Sequence, residues 1–81
     1  MLTDFLASAM ERAHYEMIED EEPYSGSILG IEGLWATGGT LEGCRRNLAA
    51  ALEDWLLFSI HKGSAIPEIG GVRIELPRPA A

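Results

Sequence analysis

The stretch TLEGCRRNLAAALEDWLLFSIHKG, Thr40 to Gly63, decides the architecture. Leu41, Cys44, Leu48, Ala51, Leu52 and Trp55 recur at helical spacing and define one apolar face. Thr40 suits the N-cap, where a hydroxyl can accept from a free backbone N–H. Glu42 complements the positive first turn, and Lys62 the negative last one. Gly63 fits the left-handed position that ends a helix. Gly43 weakens the first turn by about 1 kcal/mol relative to alanine. A helix of this length spans about 33 Å and can cover a small sheet. The opposite face carries Glu42, Arg46, Ala50, Glu53, Asp54, Leu57 and His61. Leu57 is thus expected in solvent among polar neighbours, with Phe58 on the flank. A large apolar side chain rimmed by charge suggests a protein contact.

Short strands precede this helix. His14–Asp20 and Tyr24–Gly30 read as two strands, joined through Glu21, Glu22 and Pro23. Proline suits that turn because it cannot serve a central ladder. Gly26 signals a bulge or a close backbone approach. After a turn at Ile31–Gly33, Leu34–Thr37 forms a third strand, which Gly38-Gly39 ends. Upstream, Leu2, Phe5, Leu6, Ala9, Met10 and Ala13 make the apolar stripe of a short helix over residues 2–12, with Thr3 as its expected N-cap. Downstream, residues 64–71 connect to Val72–Leu76, where apolar and charged residues alternate as in a half-exposed strand. Pro77 and Pro79 end it.

The element order predicts an α+β fold. A small three- to four-stranded sheet (β-β-β-α-β) is covered by one long helix, with a short N-terminal helix added. The 81 residues form a single domain: helix 1–12, core 13–76 and tail 77–81. Such a chain buries only about 60 to 65% of its unfolded surface, so its core is thin. The lone Cys44 excludes an intrachain disulfide. Oligomerisation is the remaining means of adding stability. A homo-oligomer, most simply a dimer, is therefore expected, with Val72, Ile74 and Leu76 of the last strand as its interface.

Charge narrows the partners. Six Lys and Arg face thirteen Asp and Glu, for a formal net charge of −7. Nucleic-acid affinity rests on cations that displace phosphate counterions. No run of three basic residues exists, so direct nucleic-acid binding is not expected. An acidic domain can instead gain association rate with a basic protein. No apolar stretch approaches the ~20 residues of a membrane span. Met1–Ala9 lacks the cations of a signal peptide. A reducing cytoplasm is the expected compartment.

Chemistry-bearing residues do not converge. Cys44 lies on the apolar stripe and reads as a packing residue, since a reactive thiol needs an exposed, electropositive setting. His14 and Glu16 share a strand face, and His61 has no ligand neighbour at metal-binding spacing. Ser25 and Ser27 lack a nucleophile-elbow pattern. Gly38-Gly39-Thr40 has neither dinucleotide nor Walker spacing. Glu19, Asp20, Glu21 and Glu22 read as a solvated turn rather than a magnesium site. No catalytic residue, metal ligand or cofactor is assigned, and the chain is not expected to be an enzyme.

Several segments are shared with one family. They are Tyr15-Glu16-Met17-Ile18-Glu19-Asp20, Pro23-Tyr24, Gly33-Leu34-Trp35-Ala36-Thr37-Gly38, Thr40-Leu41-Glu42 with Cys44, Asn47-Leu48, Leu52-Glu53-Asp54-Trp55 and Ile66-Pro67. In order and spacing, over about residues 12 to 76, the chain resembles the HicB-like antitoxins. The resemblance implies a truncated, partial ribonuclease H-like fold and a basic HicA-type toxin partner, an mRNA endonuclease that the antitoxin covers. It implies no catalysis, because a fold name carries none. No ribonuclease H carboxylate set is matched. The sequence stops soon after the last strand, so promoter binding through an added DNA-binding element is not expected. Glu19, Asp20, Glu21, Glu22 and Tyr24 are the expected partner contacts, with Leu57 as an outer anchor. The alternatives are a residual metal-dependent nuclease or hydrolase on the same scaffold, or a self-associating module with no toxin partner.

Overall fold

The computed structural model describes residues 2–72. Helix α1 (Leu2–Glu11) leads into β1 (Ala13–Met17), β2 (Tyr24–Ile28) and β3 (Trp35–Gly38), and helix α2 (Leu41–Lys62) follows. The strands form one antiparallel sheet in the order β1-β2-β3. This is the expected α+β arrangement. Of the expected fourth strand, only Val72 falls among the described residues; Ile74 and Leu76 lie outside them. Val72 pairs with Ile69 through both backbone hydrogen bonds, across a tight turn at Gly70-Gly71. Both glycines have positive φ, 60° and 79°, which a side chain would strain.

Helix α2 begins and ends as its sequence dictates. The Thr40 hydroxyl accepts from the Gly43 N–H at 2.9 Å. At the other end Gly63 is left-handed, with φ 75°. Its N–H donates to the Ile60 carbonyl and that of Ser64 to the Ser59 carbonyl, so two of the last turn's orphan acceptors are met. In α1 the expected cap fails: the helix already includes Leu2, which places Thr3 inside it.

The strands are shorter than their sequence limits. β1 stops at Met17: the Ile18 N–H still donates to the Pro23 carbonyl in the same register, but proline has no N–H to return the bond, and exposed bends follow. β2 stops at Ile28, since Gly30 takes φ 100° in the turn beyond. β3 starts at Trp35 and includes Gly38. Gly26 makes no bulge: Tyr15, Gly26 and Ala36 stay in register. It is a close-approach glycine instead, for an added Cβ would lie 3.0 Å from the Tyr15 ring and 3.2 Å from the Cys44 sulfur.

The core lies between one sheet face and the two helices. Phe5 and Ala9 of α1, Ile28, Ile31 and Leu34 around β2 and β3, Leu48, Leu52 and Leu56 of α2, and Ile69 are buried together. Along α2 the buried line runs Cys44, Leu48, Leu52, Leu56, an i+4 row inclined to the helix axis, and ends at Ser59 three residues on. The helix is therefore rotated from the face that the sequence suggests. Leu41 is exposed, and Trp55 is half-buried. Trp55 meets α1, with its ring stacked on Phe5 at 6.4 Å. Leu57 is 63% exposed, as its place on the outer face requires.

Candidate interaction surfaces

Strand alternation sorts the sheet residues into two sets. Tyr15, Gly26, Ala36 and Gly38 face α2, which packs mainly on β3 and β2. The facing residues of β3 are small because α2 passes so close. The Cys44 thiol reaches the Ala36 carbonyl at 3.5 Å, and the Asn47 amide donates to the Thr37 carbonyl at 2.8 Å. The second bond occupies an edge acceptor of β3 that would otherwise invite another strand.

The other sheet face carries two rungs. His14, Ser27 and Trp35 stand in one, and Glu16, Ser25 and Thr37 in the next. His14 and Glu16 do share a face, and Trp35 is 64% exposed on it. Beside the first rung a groove of about 750 Å3 opens, lined by His14, Ser27, Leu29, Glu32 and Trp35 among others.

The sequence-derived contact residues divide between two places. Glu19, Asp20, Glu21 and Glu22 lie exposed in the β1–β2 loop, with half-buried Tyr24 just beyond at the start of β2. Glu22 is more than a solvated charge, for its Oε1 accepts from the Thr37 hydroxyl at 2.8 Å and ties the loop to the open-face rung of β3. Leu57 is not brought to this site. It lies sixteen residues beyond Leu41 on α2, about 24 Å along the helix axis. Its exposed neighbour there is Phe58, whose ring holds the Lys62 ammonium 5.6 Å from its centroid.

Two groups on the covered face have altered acidity. Burial raises the Cys44 thiol above its ordinary range, and the Glu22 carboxylate adds to this. Burial also raises the Tyr15 phenol; the Arg45 guanidinium opposes this and Cys44 assists it. A raised thiol pKa stabilises the fold below the unfolded-state value, and that stability is lost as pH rises through the folded value. Buried, protonated Cys44 should react with iodoacetamide at neutral pH at least about tenfold more slowly than in the urea-unfolded chain. Comparable rates would mean that the α2–β3 junction opens freely. Among the described residues, no group of three His, Cys, Asp or Glu could hold a metal ion. None of their helices is long and apolar enough to cross a membrane.

Trp35, Asn47 and the backbone role of Gly38 are not marked as structural or contact features by the sequence patterns above. For Trp35 the signal was available: in Trp35-Ala36-Thr37-Gly38, large and polar residues alternate with small ones. A close helix demands small residues on one face, which leaves the indole on the other.

These features define a small α+β domain in which α2 covers one sheet face and, among the described residues, no element covers the other. The chain belongs to the UPF0150-like family, whose model matches residues 4–67. It is similar to TTHA0281 from Thermus thermophilus, known from a crystal structure, with 57% identity over 95% of each chain and a TM-score of 0.90. No functionally curated protein matches it.

Proposed function

We propose that the domain is an antitoxin-like interaction protein of HicB type, which binds and neutralises a basic HicA-type mRNA endonuclease. The observation that carries this reading is the charge: net −7, with Glu19, Asp20 and Glu21 held exposed on one loop. The HicB-like order of motifs supports it and names the partner class. Binding here is noncatalytic: the domain covers the toxin's cationic surface and keeps RNA from it. Complementary charge acts mainly on the association rate, and salt screens it over about 8 Å at physiological strength. A homodimer is compatible with this role and belongs to the same proposal.

Charge reversal tests the reading. Glu19, Asp20 and Glu21 should be replaced by lysine together, leaving Glu22 and its bond to Thr37 intact. Binding to the product of the adjacent gene is then followed by surface plasmon resonance at low and high salt. At low salt the association rate should fall by about tenfold or more. At high salt the variant and the natural chain should converge. Equal association at every salt concentration would reduce the acidic loop to a solvated turn.

A further inference from the structure

We propose that the open sheet face docks an arginine-bearing segment of the partner protein, with Trp35 as its anchor. This rests on the interaction-protein reading and locates its contact surface. The two rungs of this face, His14–Ser27–Trp35 and Glu16–Ser25–Thr37, contain no lysine or arginine. Arg45, Arg46 and Lys62 belong to α2, and Arg12 precedes β1. Carboxylates bracket the indole. Glu32 lines the groove beside it, and Glu22 is held against Thr37, two residues along the same strand. Successive side chains on one strand face are about 7 Å apart. A guanidinium lying on the indole therefore has a carboxylate within reach.

Arginine fits this arrangement better than lysine does. Its planar cation stacks on an aromatic face and presents a fork of donors to a carboxylate. Exposed Leu29 adds apolar area at the groove wall. A second copy of this chain fits poorly, because two such faces would oppose Glu16, Glu22 and Glu32 to their own counterparts. Trp and Arg are also the residues that most often dominate binding energy at an interface.

The test uses the full chain carrying Trp55→Phe, so that tryptophan emission reports Trp35 alone. Adding the purified product of the adjacent gene should shift that emission to the blue as the indole loses water. An oligoarginine peptide should compete with this product better than an oligolysine peptide of equal length. In the natural background, Trp35→Ala should weaken binding by roughly 10- to 100-fold, mainly through faster dissociation. Ala50→Ser, exposed on the outer face of α2, should leave binding unchanged. If the product binds the natural chain and the Trp35→Ala chain alike, the docking face is wrong while the interaction reading stands. If it binds neither, both fall. Emission that is already blue in the isolated monomer, or that shifts with the chain's own concentration, assigns the face to another occupant and overturns the proposal. Equal competition by the two peptides removes the arginine preference and overturns that part.

Discussion

Gly38→Ala should destabilise the protein by about 3 kcal/mol or more, a large share of what a domain this size can hold. An added Cβ would lie 2.3 Å from the Cys44 nitrogen, 2.7 Å from its Cα and 2.8 Å from the Gly43 carbonyl carbon. All three are backbone atoms of the first helical turn, so no rotamer change relieves the clash. The helix must lift off β3. Lifting it breaks the Asn47–Thr37 and Cys44–Ala36 bonds and loosens the row Cys44, Leu48, Leu52, Leu56. Gly39→Ala is the matched control: its Cβ meets nothing within 4 Å and its φ is not positive. That variant should stay within about 0.5 kcal/mol of the natural chain. Urea melts of the three proteins decide the matter. Coincident curves for Gly38→Ala would mean that the helix does not rest on the strand as described.

Phe5→Ala should cost about 3 to 5 kcal/mol, the usual range for removing a buried aromatic side chain. Phe5 is fully buried and stacks on Trp55 with 12° between the ring planes. Helix α1 has only ten residues, too few to persist without docking. Beyond Phe5, Ala9 is its other buried residue, with Leu6 and Met10 half-buried against the core. Without the ring, α1 should detach and the Trp55 emission should move to the red. Trp55→Ala should cost less, about 2 kcal/mol, because that side chain is only half-buried. A larger loss for Trp55→Ala than for Phe5→Ala would contradict this ranking.

The contrast between Phe5 and Trp55 shows what the sequence could convey. Element types were legible from periodicity and punctuation: Thr40 and Gly63 mark the ends of α2 because caps are local chemistry. The rotation of α2 was not legible. A stripe including both Leu41 and Trp55 is wider than the i+4 row that the sheet covers, and only packing selects the row. Strand ends were overrun for a related reason. Ile18, Leu29 and Leu34 have strand-like side chains, but backbone pairing stops where Pro23 has no N–H to return the Ile18 bond and where Gly30 turns the chain. The candidate contact surface was half legible. The acidic loop announces itself by composition, and Leu57 by its place on the polar face. That these two lie at different ends of the molecule, and that Trp35 stands beside the loop's anchor at Thr37, depends on tertiary placement. Gly38 looks like a strand breaker in sequence. In the fold it is a strand residue whose missing side chain lets the helix in.

Whether the domain binds a toxin-like partner at all is decided by isothermal titration of this chain with the purified product of its adjacent gene. That product should be a small basic protein and should bind in a defined stoichiometry. Its affinity should fall steadily as salt is raised, as expected when an acidic surface meets a cationic one. An absence of heat and of co-elution at low salt, with both proteins folded, would contradict the antitoxin-like reading.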